Sequence, residues 1–378
     1  MARLKVMTII GTRPEIIRLC RVMAALDRHM DHIVVHTGQN YDYELNQVFF
    51  EDLELRAPDR FLDAAGDTAA ETIGQIIAAT DKVLAELRPD AVLILGDTNS
   101  CLAAIAAKRR RIPVFHMEAG NRCFDMRVPE EINRRIVDHV ADINLPYSAI
   151  AREYLLREGI PPDRIITTGS PMREVLDHYM PRIKKSKVLD ELKLEKQKYF
   201  LVSAHREENL DDPANFANLL SSLNAIADRF GLPVIVSTHP RTRVKLERGP
   251  AVDMDARVRF MKPMGLADYA KLQMNAACVI SDSGTVTEEA SILNFPAVTI
   301  RQSHERPEGM DEGTLIMSGL RPERVIDAIT VVRDHHVRGE RVFRLVPDYD
   351  TDAVSKKVLR IILSYTAYVN RVVWNLPS

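Results

Sequence analysis

Short apolar runs alternate with amphipathic segments along nearly the whole chain. In the first half, the runs VMTIIG, HIVVHTG, AVLILGD and IPVFHME are separated by segments such as PEIIRLCRVMAALDRH, whose apolar residues recur at helical spacing. Apolar strands that alternate with amphipathic helices are typical of a parallel sheet built from βαβ units. The pattern therefore predicts a doubly wound α/β domain, in which Thr68 and Glu71 have the spacing of a capping box for the helix through QIIAATDKVLAELR.

The same rhythm restarts after a lysine-rich segment. Residues 180–198 read MPRIKKSKVLDELKLEKQK, without a strong apolar face, and are followed by the apolar runs YFLVSAHRE, PVIVSTHP, VISDSGT and PAVTIR. A chain of 378 residues suits two cores of ordinary size better than one. We therefore predict two Rossmann-like α/β domains, residues 1–178 and 179–350, which face each other across a cleft, and a final helix within residues 351–378 that crosses back to the first domain.

Charge and cysteine content narrow the classes of partner. The chain has 51 basic and 53 acidic residues and a formal net charge of −2, so no basic excess indicates a nucleic-acid partner. No stretch of about 18 apolar residues and no export signal is found, so no membrane partner is expected. Four scattered cysteines, without a CxxC pair or the spacing of a zinc site, favour a reducing compartment, and we predict a cytoplasmic location.

Polar residues directly follow five of the apolar runs. Ligands of open α/β sheets bind beyond the carboxyl ends of the strands, so these positions are the candidates for a binding site. The five stretches are residues 11–15 (GTRPE), 96–100 (GDTNS), 116–120 (HMEAG), 204–209 (AHREEN) and 281–285 (SDSGT).

The stretch SDSGTVTEEA indicates an anion site. It runs from a strand through Ser283 and Gly284 into a helix, which would direct free backbone N–H groups and the positive end of a helix dipole at a phosphate. The alternative is that Thr287 caps the helix and that Glu288 and Glu289 only favour its first turn.

Arg13 and Arg306 offer forked donors for phosphate, although a single arginine is more often a surface or ion-paired group. No GxGxxG motif follows the first strand, and no P-loop motif occurs. Hydride transfer and hydrolysis of a nucleoside triphosphate are therefore not expected.

Three acids are candidates for proton transfer. Asp97 and Glu118 each end an apolar run, and Glu130 follows Pro129 at a predicted helix start. Carboxylates gathered in a cleft tend to have raised pKa values, as abstraction of a proton from carbon requires. His205, at another strand end, offers a base or a phosphate donor, or is simply a capped polar residue.

The structural alternative for the acids is also open. Glu130 and Glu131 suit the dipole of a helix N-terminus, and they have i,i+4 spacing to Arg134 and Arg135. Carboxylates and histidines can also gather a divalent metal, but no pair at ligand spacing stands out.

The ordered motifs GTRPE, TGQ, GDT, HMEAG-R, PEE-NR, HREEN, HP and DSG--EEA resemble the non-hydrolysing UDP-N-acetylglucosamine 2-epimerase family over almost the full chain. The resemblance implies two Rossmann-like domains in the glycosyltransferase-B arrangement, a UDP-sugar substrate, a homodimer, and no NAD or metal cofactor. It implies anti elimination of UDP to a 2-acetamidoglycal and re-addition of UDP with a proton delivered to the other face of C2.

The resemblance also assigns residues. The catalytic positions it implies are Asp97, Glu118, Glu130 and His205. The UDP-binding positions it implies are Arg13, Arg18, Tyr269, Ser283, Gly284, Glu289 and Arg306.

Three stretches depart from the family pattern. TGQH-EM becomes TGQNYDYEL, HVEAGLRT becomes HMEAGNRC, and DSGGIQEEA becomes DSGTVTEEA. These changes are similar to the subgroup that makes UDP-N-acetyl-L-fucosamine from UDP-2-acetamido-2,6-dideoxy-L-talose for capsule and O-antigen. Some members of the family bind an allosteric second substrate molecule near Gln39, and the change to Asn40-Tyr41-Asp42 puts that regulation in doubt here.

Other functions share parts of this pattern. UDP-N-acetylglucosamine 2-epimerase activity is the first alternative, and a glycosyltransferase of the same architecture, which would pass the sugar to an acceptor, is the second. A hydrolysing epimerase would release free N-acetylmannosamine, and a sensor would bind the nucleotide sugar without further chemistry. The acid cluster favours chemistry at C2.

Overall fold

The structure is a computed structural model that describes residues 3–38, 50–204, 206–238, 253–336 and 340–376. Contacts divide the chain into two compact units. The first unit comprises Met1–Asp177 and Asp348–Ser378, and the second comprises His178–Pro347.

The first unit is a six-stranded parallel sheet with helices packed on it. Its described strands are β1 (Lys5–Ile10), β2 (Asp31–His36), β3 (Arg60–Phe61), β4 (Ala91–Leu95), β5 (Val114–Met117) and β6 (Ile143–Leu145). Its described helices are α1 (Arg13–His29), α2 (Ala69–Leu87), α3 (Ala104–Arg109), α4 (Pro129–Val140), α5 (Ala149–Arg157), the first residues of α6 (Met172–Lys185), and the last helix, α14 (Val354–Val372).

The strand order of this sheet is β3-β2-β1-β4-β5-β6. β1 pairs in parallel with both β2 and β4, with Val6 opposite Ala91 in the second pair. Successive strands are therefore added on one side of β1 up to β3 and on the other side from β4 onward, so the switch point where open α/β sheets bind ligands lies between β1 and β4. β4 is buried along its whole length, as expected for a parallel strand covered by helices on both faces.

The second unit repeats this plan with a second six-stranded parallel sheet. Its strands are β7 (Phe200–Ser203), β8 (Val234–Ser237), β9 (Val258–Met261), β10 (Cys278–Ser281), β11 (Ala297–Thr299) and β12 (Ile316–Met317). Its helices are the rest of α6, α7 (Val188–Glu191), α8 (Glu207–Leu210), α9 (Pro213–Phe230), α10 (Leu266–Asn275), α11 (Thr285–Leu293), α12 (Pro307–Asp311) and α13 (Pro322–His335). The order β12-β11-β10-β7-β8-β9 puts its switch point between β7 and β10. The predicted α/β class with two doubly wound sheets is confirmed.

The last helix, α14, packs against α1 and belongs to the first unit. Its buried face includes Val358 and Ile362. At its first turn the backbone N–H of Ser355 donates to Glu174 at 2.8 Å, and Lys357 Nζ donates to the carbonyl of Thr168 at 2.8 Å. These bonds join the end of the chain to residues nearly two hundred positions earlier.

One of the two bonds of the capping box predicted for α2 forms as expected, and the other uses the N–H of Asp67 in place of that of Thr68. The Thr68 hydroxyl accepts from the N–H of Glu71 at 3.1 Å, whereas the Glu71 carboxylate accepts from the N–H of Asp67 at 3.0 Å. Among the helices of the described ranges, none has the length and apolar character needed to cross a membrane.

Candidate active site

Asp97 lies just beyond the carboxyl end of β4, after Gly96, whose φ is +74°. Arg134 of α4 donates to one carboxylate oxygen of Asp97 from Nε at 3.0 Å and from Nη2 at 2.5 Å. The neighbouring Asn133 amide donates to the Asp97 carbonyl at 2.9 Å. Because Arg134 is only 2% exposed, these bonds fix Asp97 against a rigid helix.

Glu118 follows β5 and is buried against a second arginine. Its backbone has a φ of +63°, a left-handed conformation that is uncommon outside glycine and costs conformational energy. Its carboxylate forms an ion pair with Arg18 of α1 and lies 3.4 Å from the Asn121 amide nitrogen. Oε2, the oxygen that contacts Arg18, lies 3.5 Å from the point where a Cβ on Gly96 would be, so this carboxylate lies over the end of β4.

Glu15 joins the loops after β1 and β4. It is fully buried, and its carboxylate accepts from the N–H groups of Gly11 at 2.5 Å and Thr12 at 3.0 Å. It also accepts from the Thr98 hydroxyl and, at 2.7 Å, from the Ser100 hydroxyl. Burial raises the pKa of Glu15 despite these four donors. Glu15 thus holds the Gly11–Thr12 loop, which precedes Arg13, against the loop that follows Asp97.

The two adjacent acids of α4 differ in environment. Glu131 is fully buried and accepts from Arg134 at 3.1 Å, Arg135 at 3.0 Å and the N–H of Cys123 at 3.0 Å, so the predicted pair with Arg135 is confirmed. Glu130 is half-buried in the first turn of the helix. Glu131 is therefore a structural acid, and Glu130 is the one of the two that remains a candidate for chemistry.

A buried ionic network supports the Glu118 loop from behind. Asp138 accepts from the N–H of Gly120 at 3.2 Å and from Arg122 at 2.7 Å, and it lies 3.0 Å from Nδ1 of His116. Burial raises the pKa of Asp138, but His116 and Arg122 outweigh that effect and hold the pKa below its usual value. The His116 ring also bonds the Gly96 carbonyl at 2.8 Å, so one network supports both strand ends.

A cavity in the second unit lies at the amino end of α11. Of the predicted UDP-binding residues, Ser283, Gly284 and Arg306 line it. The Ser283 hydroxyl lies 3.0 Å from that of Thr285, and a Cβ on Gly284 would lie 2.8 Å from a Glu305 carboxylate oxygen. Only glycine leaves room for the loop at this position without displacing Glu305.

The predicted cap at Thr287 is wrong. α11 begins at Thr285 with Gly284 as its N-cap, so Thr287 lies inside the helix. Gly284, which has no side chain to restrict its backbone, takes the N-cap position instead, so the helix begins earlier than a cap at Thr287 would place it. Glu288 is buried in the first turn, and its carboxylate accepts from Nε of Arg306 at 3.1 Å.

Tyr269 and Glu289 do not line this cavity in the part of the chain that the structure describes. Tyr269 is half-buried on α10 against the apolar core. Glu289 is half-buried and accepts from the Gln273 amide at 2.5 Å. That amide fixes the direction of one Glu289 oxygen.

A buried acid joins the two loops at the switch point of this unit as well. Asp282, which follows β10, is fully buried and accepts from the N–H of Arg206 at 3.0 Å and from the Asn209 amide at 2.9 Å. It therefore has the role in the second unit that Glu15 has in the first. His205 itself, predicted as the active-site histidine, lies outside the described residues, as does the stretch near Gln39.

Within the described ranges, no three His, Cys, Asp or Glu side chains gather in a way that could hold a metal ion.

Comparison with known proteins decides the family. Residues 24–363 match the family model described as UDP-N-acetylglucosamine 2-epimerase. The chain belongs to the UDP-N-acetylglucosamine 2-epimerase family. It is an enzyme of the isomerase class, a UDP-sugar 2-epimerase.

Three relatives illustrate the range of this family. The structure of UDP-N-acetylglucosamine 2-epimerase from Rickettsia bellii is 54% identical, covers 98% of this chain and 99% of its own, and has a TM-score of 0.91. The Methanocaldococcus jannaschii UDP-GlcNAc 2-epimerase in complex with UDP-GlcNAc and UDP is 31% identical, covers 96% and 100%, and has a TM-score of 0.89. The UDP-2,3-diacetamido-2,3-dideoxy-D-glucuronate 2-epimerase of Pseudomonas aeruginosa is 33% identical over 86% of this chain and 91% of its own.

Sequence reasoning missed two residues that organise the first unit of the epimerase. In the sequence, Arg134 has only the i,i+4 spacing to Glu130, and Glu15 is only one residue of the GTRPE stretch. A signal existed for Glu15, because it stands three positions after Thr12 at the spacing of a capping box. No local signal links Arg134 to Asp97, which lies 37 positions away.

Replacing Arg134 with lysine should lower kcat by about 10- to 100-fold, because lysine keeps the charge but loses the fork that holds Asp97. The matched control is Arg135→Lys on the same helix, which also contacts Glu131 but is 38% exposed and should change kcat less than about twofold. Steady-state kinetics on both variants would check this. Equal losses in the two variants would mean that the effect comes from Glu131 and not from Asp97.

Proposed function

We propose that this epimerase inverts C2 of a UDP-activated 2-acetamido sugar by eliminating and re-adding UDP. A carboxylate takes the C2 proton, the C2–H electron pair forms the C1–C2 double bond, and UDP leaves with the C1–O pair. UDP then returns to C1 while a proton is delivered to the opposite face of C2. No net proton or electron is gained or lost, as an epimerisation requires.

We assign the proton transfers to Asp97, Glu118 and Glu130, and we assign His205 as the further catalytic residue that the family resemblance implies. The observation that carries this assignment is that Asp97 and Glu118 follow adjacent strands and that each is held by an arginine, Arg134, which is buried, and Arg18, which is half-buried. Fixed carboxylates of this kind can exchange protons with a bound carbon acid without reorganising.

We assign UDP binding to Arg13, Arg18, Tyr269, Ser283, Gly284, Glu289 and Arg306. In support, Arg13 is the first residue of α1, and Ser283 and Gly284 are at the amino end of α11, where backbone N–H groups favour phosphate. Arg18 contacts Glu118, so one guanidinium can serve both the acid and the departing diphosphate. Glu289, oriented by Gln273, suits hydroxyls of the ribose.

For the substrate we propose UDP-2-acetamido-2,6-dideoxy-L-talose, converted to UDP-N-acetyl-L-fucosamine for capsule or O-antigen. Two of the departures from the family pattern are in contact with site residues, since Asn121 is buried beside Glu118 and the Thr285 hydroxyl lies beside Ser283. A 6-deoxy L-sugar presents different ring contacts, so a changed residue beside Glu118, an acid assigned to chemistry on the sugar, supports this choice. We further propose a cytoplasmic homodimer, following the family resemblance.

The second candidate substrate is UDP-N-acetylglucosamine. The name of the Rickettsia bellii relative, at 54% identity, favours it.

Proton NMR of the purified enzyme in D2O tests both substrates. With UDP-2-acetamido-2,6-dideoxy-L-talose we expect loss of the C2 proton signal and appearance of a second UDP-sugar. Exchange with UDP-N-acetylglucosamine alone would select the second candidate. No exchange with either sugar, and release of UDP only when an acceptor is added, would overturn the epimerisation proposal in favour of glycosyl transfer.

A further inference from the structure

Arg301, which follows β11, has a donor edge without an acceptor. The side chain is buried, and Nη1 donates to Glu305 Oε1 at 2.7 Å. Its Nε and Nη2 atoms have no hydrogen-bond acceptor in the described part of the chain. These two nitrogens form the side of a guanidinium that matches two oxygens of a phosphate or carboxylate. A buried N–H edge of this kind is costly unless a partner satisfies it.

The charges around Arg301 favour an anion. Glu305 Oε1 also accepts from Nη2 of Arg206 at 2.9 Å, so two guanidinium groups share one carboxylate oxygen. Two positive charges and one negative charge leave these three side chains with a net charge of +1. An oxyanion at the open edge of Arg301 would balance that charge.

Arg301 also lines the cavity at the amino end of α11. Arg301 and His304 line it together with Ser283 and Gly284 at the amino end of α11, a helix of nine residues. His304 Nδ1 is buried and has no hydrogen-bond partner among the described residues. Burial and the charge of Arg301 lower the pKa of His304, so the ring is neutral at pH 7 and one of its nitrogens can donate. Four kinds of donor therefore converge: a guanidinium edge, an imidazole, a hydroxyl and a helix N-terminus.

We propose that Arg301 and His304 bind a phosphate oxyanion in this cavity, and that this phosphate belongs to the diphosphate of the UDP-sugar. The proposal rests on the proposed function for the identity of the nucleotide. Arg301 supplies two parallel N–H donors to one phosphate, and His304 supplies a third. Glu305 holds the guanidinium plane in place through Nη1.

Equilibrium binding of UDP, uridine and inorganic phosphate to purified variants tests the proposal. Arg301→Lys keeps the charge but removes the donor edge, and should raise the Kd for UDP by about 10- to 100-fold while leaving uridine binding unchanged. His304→Ala should raise the Kd for UDP by about 3- to 10-fold. The matched control is Arg257→Lys in the same unit, whose arginine pairs with Asp255 away from the cavity and should bind UDP as the wild type does.

Several outcomes overturn the proposal. A folded Arg301→Lys protein that binds UDP within twofold of wild type would do so. So would a cavity that takes inorganic phosphate without competition from UDP, since the anion would then not be that of the nucleotide. If Arg301→Lys does not fold, a crystal of the wild type with UDP decides, because a phosphate oxygen must lie within about 3.2 Å of both Nε and Nη2.

This test is separate from turnover. If UDP binds through Arg301 but the C2 proton does not exchange, the epimerisation proposal fails and the phosphate site stands. If exchange occurs and Arg301→Lys binds UDP normally, the reverse holds.

Discussion

Asp97→Asn should lower kcat by about 10²- to 10⁴-fold and stop exchange of the C2 proton with D2O. The amide can still accept a hydrogen bond from Arg134, so the fold should survive, but it cannot take or return a proton. Steady-state kinetics and proton NMR on the same preparation would measure both effects. Asp81→Asn is the matched control, because Asp81 is a half-buried acid on α2 that is paired with Arg110.

The proposed role of Asp97 fails if kcat of the asparagine variant falls less than about fivefold while the control is normal. Glu118→Gln and Glu130→Gln, measured in the same way, would then identify the acids that handle the proton. A loss of exchange with an unchanged thermal midpoint separates chemistry from folding.

Gly120→Ala should destabilise the first unit by about 2–5 kcal/mol, the sum of left-handed strain and overpacking. Gly120 has a φ of +82°, and a Cβ there would lie 2.4 Å from the Ala151 carbonyl oxygen and 2.9 Å from Leu155 Cγ. The first contact is with backbone, which cannot rotate away. Urea unfolding at constant temperature would give the change in free energy.

Gly74→Ala is the control of opposite sign. Gly74 lies within α2, is exposed, and a Cβ there would meet nothing within 4 Å. Alanine should therefore stabilise the protein by about 0.5–1 kcal/mol, because it loses less backbone entropy in a helix. If both substitutions destabilise equally, the close approach of α5 to Gly120 is not the cause.

The positions of Asp97 and Glu118 were predictable because a buried parallel strand appears in the sequence as a run of apolar residues. Each apolar run is long enough to be a buried strand, and the polar residue after it must lie at the carboxyl edge. The fold class followed from the same periodicity. Both steps depend only on neighbours in sequence, which is why they succeeded.

The partners of these acids were not predictable. Arg134 has Glu130 four positions earlier, so sequence spacing favours a surface pair, whereas the structure turns Arg134 inward to Asp97. Arg301 lies outside the sequence motifs named above. It is a candidate for ligand binding only because its Nε and Nη2 atoms are buried without an acceptor among the described residues. The buried face of α4 and the position of the side chain that follows β11 both depend on tertiary packing. Local sequence patterns do not specify that packing.

The return of α14 to the first unit has a consequence for how the chain is made. The second unit is one continuous stretch, so all of its residues are synthesised before the last helix of the first unit. Val358 and Ile362, which are buried in the structure, reach the nascent first unit only after the whole second unit has been synthesised. The unit that is synthesised first is therefore completed after the second unit. Until then, the apolar surface of α1 that α14 covers stays exposed in the nascent protein or is bound by a chaperone.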